Sequence, residues 1–329
     1  MSAWREPVLV TGAGGFIGRY LVQSLDEAGV SVYALMLPGE PVPTTWSADV
    51  RIVIGDVTDR HAMRKALSGA GTVFHLAAVV GDWGAESLFQ KVTVGGTANV
   101  LEAAAESGTR AVLASSIVVY GHRLGTDACH EGLDFGDTFG PYGRSKQAQE
   151  KLAWDLVHSA GLELTVVRPA NVFGVGSRPW VEMVLPLLHR RDPTLIGGGH
   201  GNAGLCHVRN LVDLLLRAGL DPVAVGRTYN GADGSDVTWR RYFSDLAEIV
   251  GAPKPRSIPR WAAGPAARVC EFLWYFLKKE ERPPLTREAL NLAGSHHRIS
   301  ITKAHRELGY EPNFTYDEAI AELRAALQA

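Results

Sequence analysis

The sequence predicts a doubly wound α/β fold: a parallel sheet with helices on both faces and a smaller, interleaved C-terminal unit. Three observations predict it. Short apolar runs alternate with amphipathic stretches through the first half of the chain. The first run ends in a glycine-rich turn that opens a helix. After Pro169 the alternation gives way to segments punctuated by Gly, Pro and Trp.

The elements follow in order. Pro7–Thr11 is a short apolar strand, and Phe16–Ala28 a helix with Ile17, Leu21 and Leu25 on one face. Ser31–Leu35 and Val50–Ile54 read as strands two and three, His61–Ser68 as a short helix, and Thr72–Leu76 as strand four. A long helix over Glu86–Glu106 precedes strand five at Arg110–Ser115. Tyr142–Ala160 is a second long helix, and Glu163–Arg168 strand six. Residues 1–170 are expected to form the first domain, with return segments near 205–232. Residues 171–204 and 233–329 are expected to form the second, largely helical one.

Composition narrows the function classes. The chain has 329 residues, 46% of them hydrophobic, so it can bury a full core; its net charge of −2 offers no basic face for nucleic acid. A small-molecule partner is expected. Cys129, Cys206 and Cys270 lie far apart without CxxC spacing, which excludes a disulfide framework and a zinc site; no metal is expected. The cysteine usage and the lack of an early apolar run point to the cytoplasm. The most apolar late stretch, Trp261–Leu277, falls short of the ~20 residues a spanning helix needs. Val269, Phe272, Leu273, Phe276 and Leu277 share one helical face, which is expected to pack on its own domain; covering substrate or resting on a membrane are the other readings.

Thr11-Gly-Ala-Gly-Gly-Phe-Ile-Gly18 lies between an apolar strand and an amphipathic helix. Gly12, Gly15 and Gly18 permit a tight turn and close approach of backbone N–H groups to a pyrophosphate. The helix start at Phe16 and Ile17 adds partial positive charge. With strand and helix both in place, this is the fingerprint of a Rossmann dinucleotide site. The end of strand two, Leu35-Met36-Leu37-Pro38, is where the ribose is expected to contact Met36 and Leu37. It offers neither an acid for a 2′-hydroxyl nor an Arg for a 2′-phosphate. NAD and NADP both stay open, and the missing carboxylate tilts the reading towards NADP. Asp56, with Val57 beside it, follows strand three and is placed for the adenine edge or for capping the next helix.

Tyr142-Gly-Arg-Ser-Lys146 opens the second long helix, and residues four apart share a helix face. A Lys ammonium beside a phenol is expected to lower the phenol's pKa and let Tyr142 exchange a proton near neutral pH. Ser115-Ser116-Ile-Val-Val-Tyr-Gly121 lies at the C-terminal end of strand five, the edge where open parallel sheets bind ligands. Ser116 there can hold a substrate carbonyl.

These stretches, with GDVTD (Gly55–Asp59), VFHLAA (Val73–Ala78), GGTANVLEAA (Gly95–Ala104), RPANVFG (Arg168–Gly174) and LGYEP (Leu308–Pro312), resemble the extended short-chain dehydrogenase/reductase family over nearly the whole chain. The resemblance implies that Ser116, Tyr142 and Lys146 form a catalytic trio. It implies that Leu76, Ala77, Ala78, Pro169, Asn171 and Val172 line the cofactor groove, and that Asn171 also faces substrate. It further implies a homodimer built from the helices 86–106 and 142–160. Thr93 stands where the family often has Asn, which takes a proton-relay role away from that position.

The family includes ketoreductases, epimerases and dehydratases. Sugar dehydratases place an acid–base pair directly after the Ser; here those positions are Ile117 and Val118, neither of which moves a proton. Nucleotide-sugar epimerases carry an Arg where this chain has Ala203, and a second that is missing from Ala293–Ser300; Arg178, Arg209 and Arg298 stand outside that pattern. Pro283-Pro-Leu-Thr-Arg-Glu-Ala-Leu290 is more similar to the 3β-hydroxysteroid dehydrogenase branch and its bacterial ketoreductase relatives. The expectation is therefore hydride transfer with a secondary alcohol or ketone on a largely apolar substrate, with Val80, Trp83, Val118 and Trp180 as further pocket residues. A nucleotide-sugar 4-epimerase is the alternative. A dinucleotide sensor without turnover is the remoter one, since it has no need of a full Ser/Tyr/Lys set.

Overall fold

The structure is a computed structural model and describes residues 4–279 and 281–328. Met1–Ala3, Glu280 and Ala329, which fall within the expectations for the chain start and the helical C-terminal stretch, lie outside the described residues. In chain order the first half contains β1 (Val8–Thr11), α1 (Phe16–Glu27), β2 (Val32–Met36), β3 (Arg51–Ile54), α2 (Arg60–Leu67), β4 (Thr72–His75), α3 (Glu86–Phe89), α4 (Gly96–Ser107), β5 (Arg110–Ala114), α5 (Pro141–Ala160) and β6 (Leu164–Pro169). The second half contains β7 (Asn171–Phe173), α6 (Val184–His189), β8 (Pro193–Ile196), β9 (Leu205–His207), α7 (Val208–Leu220), β10 (Arg227–Gly231), α8 (Trp239–Ile249), β11 (Arg256–Ile258), α9 (Arg260–Phe276), α10 (Arg287–Gly294), α11 (Thr302–Leu308) and α12 (Tyr316–Gln328).

Seven parallel strands form the main sheet in the order β10-β6-β5-β4-β1-β2-β3. The order reverses beside β1, the topological switch point at which such sheets hold ligands beyond their C-terminal edge. Strand side chains alternate between faces, and β1 shows why its apolar run is unbroken. Val8 and Val10 enter the core cluster on one face, whereas Leu9 enters the cluster on the other. β10 comes from the return segment near 205–232 and closes one edge of the sheet against β6. A third apolar cluster, built around Phe173, Trp239, Tyr242 and Leu246, organises the later elements.

Two expectations change. The single helix over Glu86–Glu106 is interrupted by a π-helical turn at Gln90–Gly95 between α3 and α4. The apolar face of α9 does not pack on its own domain: Val269, Phe272, Leu273 and Phe276 are exposed, and the face laid inward carries Ala263 and Ala267 instead. Among the described residues no helix is long and apolar enough to cross a membrane.

Candidate active site

The glycine turn after β1 has the shape of a phosphate cradle. Gly12 has φ +66°, and a Cβ there would lie 2.9 Å from the Ala77 nitrogen, so only glycine lets the turn close on the end of β4. Gly18 meets the Gly12 carbonyl so closely that a side chain would collide with backbone. Gly15 starts α1, and no side chain caps that helix. Its first-turn N–H groups are therefore free to meet an anion. Phe16 and Ile17 are half-buried behind them. These features fit a dinucleotide pyrophosphate.

The ribose end corrects the sequence reading. Met36 lies in the core with its terminal methyl under Gly14, so its side chain does not face the groove. Leu37 is exposed. An acid stands just past the Leu35–Pro38 stretch, four residues after the strand. After the Pro38-Gly39 turn, the Glu40 carboxylate folds back to accept the Leu37 N–H at 2.9 Å. Its Oε2 would be 3.0 Å from a Cβ on Gly14. A carboxylate thus lies against the glycine loop at the end of β2. Asp56 is exposed and accepts the Thr58 N–H at 2.8 Å, while Asp59, not Asp56, caps α2. The Val57 side chain is buried against Gly96, which leaves only its backbone for a ligand. Leu76, Ala77 and Ala78 are half-buried beyond β4, and the Thr11 hydroxyl accepts the N–H groups of Leu76 and Ala77 at 3.2 and 3.3 Å. Pro169 and Val172 are buried at the β6–β7 junction.

Ser116, Tyr142 and Lys146 converge where β5 ends and α5 begins. The Lys146 ammonium donates to the carbonyl of Ala114, the last residue of β5, at 2.9 Å and to Gln149 Oε1 at 2.9 Å. It lies 6.0 Å from the centre of the Tyr142 ring. Burial pushes the Lys146 ammonium down to about 7, with Glu150 pulling it back up. Burial pushes the Tyr142 phenol up to about 12; hydrogen bonding with Ser116 draws it down, and Glu288 raises it. In the protein alone the phenol is thus raised by burial and not lowered.

A buried polar chain runs from the glycine turn to the lysine. Thr11 Oγ1 is hydrogen-bonded to His75 Nδ1 at 2.7 Å, and His75 Nε2 to Thr97 Oγ1 at 2.9 Å. Gln149 Nε2 donates to Thr97 Oγ1 at 2.6 Å, and the other end of that amide holds Lys146. Burial, reinforced by Lys146, brings His75 down to about 3, so its ring is neutral. The hydroxyl of Thr93 accepts the Val79 N–H at 3.1 Å and braces the loop after β4. Behind the serines, Ser115 donates to Glu150, and Arg168 holds the same carboxylate at 2.8 and 2.9 Å.

The helix carrying Tyr142 has an unusual cap. Gly140 and Pro141 provide no capping side chain, and Glu288 of α10 accepts the Gly143 N–H at 3.0 Å instead. Glu288 is 4% exposed, its Oε2 has no protein partner, and burial raises its carboxyl to about 8. An acid in the first turn of a later helix carries no mark of this in sequence; only burial and a contact 145 residues away reveal it. Glu40 did carry a signal, as an acid directly after a Pro-Gly turn.

The proposed substrate residues divide. Val80 is exposed and Trp83 half-buried on the loop after β4. Val118 is buried below Ser116 and donates its N–H to the Ser116 hydroxyl. Asn171 is 3% exposed, with its amide nitrogen committed to the Ala203 carbonyl at 2.7 Å. Trp180 is half-buried and packs on Trp239 with ring centres 5.1 Å apart, against the third core.

A dinucleotide cradle at the sheet's switch point, with Ser, Tyr and Lys at the adjoining strand end, defines an extended short-chain dehydrogenase/reductase. The chain belongs to the NAD dependent epimerase/dehydratase family, whose match covers residues 8–232. It is similar to the 2-alkyl-3-oxoalkanoate reductase of Stenotrophomonas maltophilia (strain K279a), with 29% identity over 98% of this chain and 99% of the relative. It is also similar to a 3 beta-hydroxysteroid dehydrogenase/Delta 5-->4-isomerase of Mycobacterium tuberculosis (strain ATCC 25618 / H37Rv), 28% identical over 96% of this chain and 88% of that one. Among solved structures, MoeE5 in complex with UDP-glucuronic acid and NAD superposes with a TM-score of 0.75 at 27% identity, covering 98% of this chain and 100% of the other.

Proposed function

We propose that this enzyme transfers hydride between NAD and a secondary alcohol or ketone on a largely apolar substrate. The observation that carries the reading is the meeting of Tyr142 and Lys146 at the end of β5, with the Lys146 ammonium 6.0 Å from the Tyr142 ring centre and bonded to Ala114, beside Ser116 and the glycine cradle. The nicotinamide supplies or takes the hydride when bound. In the reducing direction Ser116 and Tyr142 hydrogen-bond the substrate carbonyl oxygen, and Tyr142 gives that oxygen its proton. Lys146, held by Ala114 and Gln149, keeps its ammonium on the phenol's side of the cleft and stabilises the phenolate left behind.

An apolar substrate is supported from two sides. The two relatives are named for a 3-oxoalkanoate and a steroid. Ala203, at the position of the cation that sugar diphosphates need, is fully buried. Of the alternative cations, Arg209 is paired with Glu322 and Arg298 donates to the Thr126 carbonyl. NAD is preferred to NADP on this reading, because the Glu40 carboxylate would repel a 2′-phosphate. A homodimer through α3–α4 and α5 completes the proposal, checked by light scattering.

The rival reading, a nucleotide-sugar 4-epimerase, draws on the likeness to MoeE5. One panel separates them: NADH absorbance with steroid, acyl and aromatic ketones, against interconversion of UDP-sugars. Turnover of apolar ketones that is lost in Tyr142→Phe supports the proposal. UDP-sugar interconversion with no response to any ketone overturns it.

A further inference from the structure

Helix α9 has the reverse polarity of an ordinary surface helix. Its inward side is small: Ala263 and Ala267 are fully buried, and that side lies against α10. Its outward side is large and apolar. Trp261, Phe272, Tyr275 and Phe276 are 66–82% exposed, and Val269 and Leu273 lie between them. Phe272 and Phe276 stack on each other in solvent, with ring centres 6.3 Å apart. An exposed apolar patch of this size marks an interaction site.

The rim identifies the partner. Arg268 is exposed one turn before Phe272 on the same face, Lys278 and Lys279 are exposed beyond its end, and Lys279 Nζ lies 4.7 Å above the half-buried Trp274 ring. The one acid on α9, Glu271, is occupied by Arg287, whose Nε is 2.6 Å away and whose backbone N–H is at 2.7 Å. Glu281 is the exposed acid nearby. Around the patch Arg268, Lys278 and Lys279 outnumber Glu281 and, in sequence, Glu280. An exposed face rich in aromatics, with Arg268 on it and Lys278 and Lys279 beyond its end, is the pattern of a helix lying in the plane of an anionic bilayer. Self-association through the same face would set this cationic rim against its own copy.

We propose that α9 is a membrane-surface contact that seats its Phe272–Phe276 face at the headgroup–acyl boundary of an anionic bilayer. The helix rests on the membrane and does not cross it. The contact is coupled to the catalytic centre by short links. Arg287 joins α9 to α10, and Glu288 of α10 caps the helix of Tyr142. Arg282, just beyond α9, grips Asp82 with two hydrogen bonds of 2.6 Å, next to Trp83 on the loop after β4. A bilayer under α9 would therefore lie close to the cleft, where an apolar ketone partitions; this benefit rests on the proposed substrate class, whereas the contact itself does not.

The test is flotation of the full chain, without substrate, on vesicles of phosphatidylcholine alone or with one-third phosphatidylglycerol. The expected result is binding at least tenfold stronger on the anionic vesicles. Phe272→Ser/Phe276→Ser should abolish it, and Lys278→Glu/Lys279→Glu should reduce it to the zwitterionic level. Both variants should keep the wild-type melting temperature, since the altered side chains are exposed. Failure of the wild type to float, or undiminished flotation of the phenylalanine variant, overturns the proposal. So does a dimer seen without lipid that the phenylalanine variant dissolves, which would assign the face to a second copy. Because no substrate is present, the outcome is independent of which ketone the enzyme turns over.

Discussion

Glu288 accepts the Gly143 N–H across 145 residues of chain, so a carboxyl of α10 completes the helix start that carries Tyr142. Burial lifts this carboxyl from 4.5 to about 8. The folded chain therefore keeps a proton that the unfolded chain releases above pH 4.5, and stability falls as pH rises through that window. Glu288→Gln can still accept the N–H but has no proton to lose. Its stability relative to wild type should improve by on the order of 2–4 kcal/mol between pH 5 and pH 8. Urea midpoints at both pH values check this, and a difference that stays constant with pH would remove the carboxyl from the account.

Glu40 makes a second relationship that sequence distance concealed. Its carboxylate is held by the Leu37 N–H over the glycine loop. Replacing it with Ala should raise kcat/KM for NADP relative to NAD at least tenfold, or about 1.4 kcal/mol. Steady-state kinetics with both cofactors decide it. An unchanged ratio would mean that the carboxylate does not face the 2′ position.

What sequence reveals here is periodic or local. Val8 and Val10 on one face and Leu9 on the other make β1 readable as a buried parallel strand. The glycine turn declares itself because φ and close approach restrict it to glycine. The Tyr142–Lys146 pair declares itself by helical spacing. What sequence hides depends on partners. The π-helical turn at Gln90–Gly95 changes hydrogen-bond register without needing a particular side chain. The pattern at Val269, Phe272 and Phe276 shows that one side of α9 is apolar but not that the side it buries is the one carrying Ala263 and Ala267. Proximity of Tyr142 to Lys146 is legible in the spacing, whereas the burial that shifts both groups is a property of the assembled interior.

Arg168 and Glu150 form an ion pair with 6% and 0% of their side chains exposed, directly behind Ser115. Arg168 also donates to the Tyr120 hydroxyl at 3.0 Å. Removing one charge leaves the other buried and unpaired, so Glu150→Gln should cost about 3–5 kcal/mol. The double replacement Glu150→Leu/Arg168→Met should cost less than the two single changes together. Chemical denaturation of the cycle measures this, and strict additivity would rule out the coupling.

Gln149 connects Lys146 to the glycine turn through Thr97 and His75, and its contribution is separable from simple packing. Its Oε1 accepts a hydrogen bond from the Lys146 ammonium at 2.9 Å, while its amide nitrogen donates to Thr97. Burial already brings Lys146 to about 7, so loss of this acceptor should favour the neutral amine further. A hydrogen bond to a charged group is worth roughly 1.5–3 kcal/mol, which corresponds to about one to two pH units. Gln149→Leu should therefore move the limb of the kcat/KM profile set by Lys146 to lower pH by about that amount. The charged lysine is the form that steadies the phenolate, so the variant should lose most activity above pH 7 and least below pH 6. A merely structural defect would lower the rate equally at every pH. Gln149→Glu supplies the opposite arm, because a carboxylate at the same atom should hold the ammonium and carry the limb upward.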